Sequence, residues 1–178
     1  MSNENLLEIE KKYLIDVEKL PFSLNALEKT EIEQIYITTK PTLRIRKRNE
    51  KFYVTIKSNH NVDKNVDVKV NKELEMEISY DEYMELFKLH DISKSRIIRK
   101  NRYLYNLDNN LVVELDEFLG EYKGIYLAEI EFATVEESRN FEKPSWLLED
   151  VSDNYLFSNA VMSKSSDPDE HIRYTLKP

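Results

Sequence analysis

Apolar and polar side chains alternate with a period of two along most of the chain, and that alternation sets the elements. In the stretch LLEIEKKYL, residues 6–14, a strand turns Leu7, Ile9, Lys11 and Tyr13 to one face and Glu8, Glu10 and Lys12 to the other. Comparable runs at 31–38, 42–48, 51–58, 66–79, 97–106, 110–118 and 125–133 bring the prediction to about eight strands. The connections carry turn residues: Lys40-Pro41-Thr42, Asn49-Glu50-Lys51, Ser58 to Asn61, Asp108-Asn109-Asn110, and Gly120 to Gly124. Short links of this kind favour antiparallel hairpins. Helical spacing appears at 17–29, with Pro21 near its start, at 81–89 behind Asp81 as cap, and at 134–142, where Thr134 and Glu137 spell a capping box. One or two short helices are expected within 144–163. The polar tail from Ser163 reads as loosely ordered, with Ile172, Tyr174 and Leu176 spaced for a terminal strand.

The second face of most of these strands carries two or three like charges. Arg44, Arg46 and Arg48 oppose Leu43 and Ile45. Lys57 shares a face with Tyr53 and Thr55, opposite Phe52, Val54 and Ile56. Glu73, Glu75 and Glu77 oppose Leu74, Met76 and Ile78. Further on, Glu114 and Asp116 oppose Val113 and Leu115, while Glu129 and Glu131 oppose Ala128, Ile130 and Phe132. The alternation at 97–106 is less clean, but Lys100 and Arg102 share a face. Like charges two residues apart repel one another, and facing bulk water they would do so repeatedly for no gain. With three or four helices available as cover, a sheet that curls up hides the apolar faces outside and turns the charges inward. The predicted fold class is α+β: a single domain over 1–178, built as an eight-stranded antiparallel closed β-barrel with a charged tunnel and helices packed outside.

Composition narrows the partners. Of the 178 residues, 34% are charged, and the net charge of −8 argues against nucleic acid or an anionic membrane as a general partner. The absence of cysteine removes disulfides and thiolate chemistry. No leader-like segment and no apolar run of membrane-spanning length is visible, so the reading is cytoplasmic.

Charges enclosed in a barrel need partners. The inward bases are Lys12, Arg44, Arg46, Arg48, Lys57, Lys100 and Arg102; the acids are Glu8, Glu10, Glu73, Glu75, Glu77, Glu114, Asp116, Glu129 and Glu131. A divalent cation together with a polyanion satisfies both sets, since carboxylate oxygens suit Mg²⁺ or Mn²⁺ and Arg and Lys suit phosphate oxygens. His60, His90 and His171 stand in loop or helix-end contexts and read as ordinary surface residues, not as zinc ligands.

These residues resemble the CYTH superfamily, the triphosphate tunnel metalloenzymes. Glu8-Ile9-Glu10-Lys11-Lys12 reproduces its E-x-E-x-K signature. It is followed in family order by Q-x-Y at Gln34 to Tyr36, R-x-R at Arg44 and Arg46, T-x-K at Thr55 to Lys57, and E-x-E at Glu75 and Glu77. Then come K-x-R-Y at Lys100 to Tyr103, VELDEF, and L-A-E-x-E at Leu127 to Glu131; residues 143–146 and 149–162 look like the family's closing helical region. Residues 58–72 are longer than the usual link. The resemblance implies a tunnel that binds a triphosphate with Mg²⁺ or Mn²⁺. It implies Glu8, Glu10, Glu129 and Glu131 as metal ligands, and Lys12, Arg44, Arg46, Lys57, Lys100 and Arg102 as phosphate holders. Glu75, Glu77, Glu114 and Asp116 would hold water and metal or orient the bases. Lys100 with Tyr36 is the implied water-activating pair.

The expected activity is metal-dependent hydrolysis of a small-molecule triphosphate, inorganic triphosphate first, with thiamine triphosphate and nucleoside triphosphates as other substrates. The alternatives are a class IV adenylyl cyclase making cyclic AMP from ATP and a non-catalytic polyphosphate binder. The oligomeric state stays open, a homodimer included. Replacing Glu129 or Glu131 with Gln is expected to abolish metal-dependent turnover at little cost in stability.

Overall fold

The computed structural model describes residues 7–58, 69–107 and 110–175. Its framework is nine antiparallel strands: β1 (Leu7–Ile15), β2 (Lys29–Thr39), β3 (Thr42–Arg48), β4 (Lys51–Ser58), β5 (Lys69–Ile78), β6 (Ile98–Asn106), β7 (Val112–Phe118), β8 (Tyr126–Phe132) and β9 (Leu147–Asp150). The first eight agree with the alternating runs. Their order is β5-β4-β3-β2-β6-β7-β8-β1, and β1 also pairs with β5, Ile9 opposite Val70, so each of the eight has two neighbours. The sequence did not announce β9, which adds only at the far end of β1 around Tyr13 and Ile15. The expected strand start at 66, most of the long 58–72 link and His60 lie outside the described residues.

Register explains how the charged faces meet. Side chains of one face stand directly opposite one another across an antiparallel pair. Lys12 therefore faces Glu129, and Glu10 faces Glu131, between β1 and β8. Arg102 faces Asp116 between β6 and β7, and Lys57 faces Glu73 between β4 and β5.

Most of the apolar faces are buried on the outside under three groups of cover, whereas Ile56 of β4 and Leu74 and Met76 of β5 remain exposed. Tyr13, Val113, Leu115, Ala128 and Ile130 lie beneath Trp146, with Phe22 stacked on Tyr105 at 3.9 Å. Ile98, Phe118, Leu127 and Tyr122 pack against Phe157 and Met162, and Ile35 and Ile45 pack against Tyr83 of helix α1 (Tyr80–Phe87).

The helices depart from the periodicity in instructive ways. Residues 17–29 form two 3₁₀ turns, Val17–Lys19 and Leu24–Ala26, and then enter β2. The Asp16 side chain caps the first turn, and Pro21, lacking an N–H, keeps the two from joining. Helix α1 is capped by Ser79 rather than Asp81: Ser79 Oγ accepts from Glu82 N while Glu82 Oε2 accepts from Ser79 N at 2.8 Å. In α2 (Val135–Arg139) Thr134 Oγ1 accepts from Glu137 N as expected, but the Glu137 carboxylate takes the N–H of Ala133 instead of closing the box. The short helix α3 (Asn159–Met162) follows β9.

The tail is a helix, α4 (Pro168–Thr175), not a terminal strand. Pro168 suits a first helical turn, and Asp169 and Glu170 favour its N-terminal dipole. His171 on α4 is buried, 1% exposed and edge-on to Tyr122 at 5.5 Å, which corrects its reading as a surface residue. His90 is half-buried, with Nδ1 3.2 Å from Ser95 Oγ.

Ser79→Ala is expected to lower unfolding free energy by about 1 kcal/mol, whereas Asp81→Ala should change it by less than about 0.5 kcal/mol; urea denaturation of the two variants measures this.

Candidate active site

The inward faces enclose a cavity of about 780 Å³. Lys12, Glu8 and Glu10 reach it from β1; Tyr36 from β2; Arg44, Arg46 and Arg48 from β3; Lys57 from β4; Glu73 and Glu75 from β5. Lys100 and Arg102 come from β6, Glu114 from β7, and Glu129 and Glu131 from β8. Two of the sequence-derived site residues are not on its wall. Asp116 is fully enclosed beneath the bases. Glu77 lies toward solvent, half-exposed and 3.0 Å from Lys51.

Other lining residues escaped the motif reading. Arg48 and Glu73 carried the right strand parity but belong to no motif quoted above. Lys40, Pro41 and Ser158 to Ala160 line the cavity from the β2–β3 turn and the start of α3, where no period-two signal exists, and the strand-end residues Thr39, Thr42 and Ser58 join them.

Within the wall, bases and acids hold one another. Lys12 Nζ is 2.8 Å from Glu129 Oε1 and donates to Phe157 O at 3.2 Å. Arg102 spans three acids, Asp116 and Glu129 at 2.6 Å and Glu114 in contact, and its carboxylate neighbours raise its pKa well above the ordinary value despite burial. Burial works against the Glu129 carboxylate, yet Lys12, Lys100 and Arg102 outweigh it and hold Glu129 well below the usual carboxylate range. On the opposite wall Arg44 is 3.0 Å from Glu73, and Arg46 and Arg48 are each 3.2 Å from Glu75. Arg46 also donates to Gln34 Oε1 at 3.2 Å. Burial and the nearby Arg44, Arg102 and Arg48 push Arg46 down to about 10, which leaves it charged at neutral pH.

Lys100 and Tyr36 are not joined as a bonded pair. The Lys100 ammonium sits against Asp116 and 5.7 Å from the Phe118 ring centroid, while the Tyr36 hydroxyl meets the Arg44 guanidinium. Burial, followed by Arg102, pushes Lys100 down to about 8 against the pull of Asp116 and Glu129. A lysine so placed exchanges a proton near neutral pH.

The β1–β5 side of the wall holds an excess of acid. Lys57 touches Glu8 and stands 3.3 Å from Glu73 and 3.8 Å from Glu10, so three carboxylates converge on its ammonium, Glu73 sharing Arg44 as well. Burial first, then Glu10 and Glu73, raise Glu8 to about 7 despite Lys57. Glu131 is raised by enclosure and by Glu114, Glu10, Glu129 and Glu73. Surplus carboxylate oxygens with raised proton affinity are the donor chemistry a divalent cation requires. The residues therefore fit such an ion, although among the described residues no three acidic or histidine side chains are gathered into a ready-made cage.

A ring of antiparallel strands with acids and bases interleaved on its inner face defines a charge-lined β-tunnel. The chain belongs to the CYTH domain family, whose profile matches residues 6–161. It is 27% identical over 164 residues to an inorganic triphosphatase of Nitrosomonas europaea, covering 90% of this chain and 99% of that one. It is 31% identical over 159 residues to an inorganic triphosphatase of Acetivibrio thermocellus, covering 86% and 92%. The crystal structure of the inorganic triphosphatase NE1496 superposes with a TM-score of 0.62 at 26% identity, covering 90% of this chain and 96% of that one.

The two β8 carboxylates should respond differently to neutralisation, contrary to the common behaviour expected from sequence. Glu129→Gln removes the partner of the buried Lys12 and Arg102 and should cost about 3–5 kcal/mol. Glu131→Gln relieves repulsion and should leave the metal-free protein as stable or more so; denaturation in the presence of chelator separates the two.

Glu8 sets a pH dependence. Its folded pKa, about 7, lies above the ordinary 4.5, so the folded chain binds the extra proton and that stabilisation is complete below 4.5 and lost as pH rises through 7. Metal-free wild type should therefore lose stability relative to Glu8→Gln between pH 4.5 and 7.5, by about 2–3 kcal/mol, measured as the difference between two denaturation series. A flat difference contradicts the raised pKa.

Proposed function

We propose that this chain hydrolyses triphosphates with a divalent cation, Mg²⁺ or Mn²⁺, and that inorganic triphosphate is its preferred substrate. The observation that carries the reading is the composition of the tunnel wall: a basic ladder and an acidic cluster face one space, and Tyr36 is the sole aromatic among its described lining residues. A highly charged substrate without an organic group finds complementary charge on every side, whereas among the described lining residues an adenine base meets a single aromatic ring, Tyr36. The inorganic triphosphatases among the relatives support the same reading.

Roles follow from position. Arg44, Arg46, Lys57, Lys12 and Arg102 bind the phosphate oxygens and offset the charge that builds up at phosphorus during in-line attack. Glu8, Glu10, Glu129 and Glu131 hold the cation. When bound, the cation polarises the phosphoryl oxygens and lowers the pKa of coordinated water. Glu114 and Glu75 orient the bases, Glu114 through Arg102 and Glu75 through Arg46 and Arg48. Asp116 fixes Lys100 and Arg102 from beneath. Lys100, with a pKa near 8, accepts a proton at Nζ from the attacking water, and Tyr36 orients Arg44. The Glu77 position at the solvent side leaves it outside the chemistry.

Purified protein supplied with Mg²⁺ or Mn²⁺ and offered inorganic triphosphate, thiamine triphosphate and ATP tests the proposal. Orthophosphate should be released fastest from inorganic triphosphate. Arg44→Ala should raise the KM for it at least about tenfold, because a charge-assisted phosphate contact is lost. Cyclic AMP and pyrophosphate from ATP would make the protein a cyclase instead, and tight binding without turnover would make it a polyphosphate binder.

A further inference from the structure

The bases that the strands turn into the tunnel, Lys12 and Arg44 among them, each rest against a carboxylate of the protein. Lys40 differs. It lines the same cavity, its side chain is exposed, and among the described residues it makes no ion pair. Its place is set by the β2–β3 hairpin, whose last paired residues are Thr39 and Thr42. A register shift between Tyr36 and Thr38 re-aims the end of β2, and the turn is tied down by Thr38 Oγ1 donating to Pro41 O at 2.6 Å. All four residues from Thr39 to Thr42 consequently face the cavity. Thr42 lies beside Lys57, and Arg44 is the next inward residue of the same strand, so Lys40 stands one step outward of both.

The energetic contrast is simple. A phosphate that binds Arg44 or Lys57 must compete with a carboxylate already there, whereas a phosphate at Lys40 meets an uncommitted ammonium. A positive group arriving at the same place meets repulsion with no acid to offset it. Thiamine triphosphate carries a permanently cationic thiazolium ring beyond its phosphates; inorganic triphosphate carries another charged phosphate oxygen there.

We propose that Lys40 is a specificity-determining residue, which receives the outermost phosphate at the tunnel mouth and selects against triphosphates whose far end is cationic. This rests on the triphosphatase reading. It concerns a residue outside all the motifs quoted from the sequence.

The test compares wild type with Lys40→Ala, Lys40→Glu, Lys40→Arg and, as a reference for the inner wall, Arg44→Ala. Hydrolysis of inorganic and thiamine triphosphate gives kcat and KM for each, and calorimetric binding of a non-hydrolysable imido-linked triphosphate gives affinity independently of turnover. Lys40→Ala should raise KM for inorganic triphosphate about fivefold with kcat within about twofold, and the loss should shrink at high salt. Lys40→Arg should restore the affinity. Lys40→Glu should shift the ratio of kcat/KM values toward thiamine triphosphate by about tenfold or more. If the Lys40 variants keep wild-type affinity and substrate ratio while Arg44→Ala binds weakly, the inference falls and the triphosphatase reading stands. If wild type neither binds nor cleaves any triphosphate, both fall.

Discussion

Charge enclosed by a rolled sheet must be matched locally, and the rest of this molecule is arranged around that requirement. Strand parity decides which residues enter the tunnel, and antiparallel register decides what each one meets there. Lys12 meets Glu129, Arg102 meets Asp116 and Lys57 meets Glu73 because these residues are directly opposite on neighbouring strands. A shift of one residue in any strand would expel its charges onto the apolar exterior and draw Ile, Leu or Phe inward. The outer clusters under Trp146, Met162 and α1 thus fix the register on which the inner pairing depends.

The pairing is uneven, and the unevenness gives the site its chemistry. Around Arg102 the acids are well matched, and Glu129 is correspondingly hard to protonate. Around Lys57 three acids converge on one ammonium, Glu73 among them also meeting Arg44, and Glu8 holds its proton to about pH 7. On the proposed function, binding is an exchange: phosphate oxygens take over the bases, and the carboxylates so released, together with those already in surplus, hold the cation. Neither ligand alone completes the exchange, so each should promote the other.

Most of this was legible from alternation alone. Eight of the nine strands and nearly all the charged wall follow from which residues share parity, as with Arg44, Arg46 and Arg48 on one face of β3. Partners were not legible, because parity says that Lys12 points inward but only register places Glu129 opposite it. The hidden elements were short or ambiguous. The strand β9 has four residues, of which Leu147 alone is buried. Ile172 and Tyr174 alternate like a strand, but Pro168 and the acids after it start a helix, and His171 fills its buried side. The turn that carries Lys40 and the Ser158–Ala160 segment contribute to the wall through loop geometry, which has no periodic signature.

Titration of Mn²⁺ into the protein, with and without saturating imido-linked triphosphate, addresses the shared occupation of the tunnel most directly. Exchange within one charge network predicts that the triphosphate tightens Mn²⁺ binding at least about tenfold, and that Mn²⁺ tightens triphosphate binding by the same factor. Equal Mn²⁺ affinity in the two titrations would mean that acids and bases act as separate sites, and would contradict the exchange.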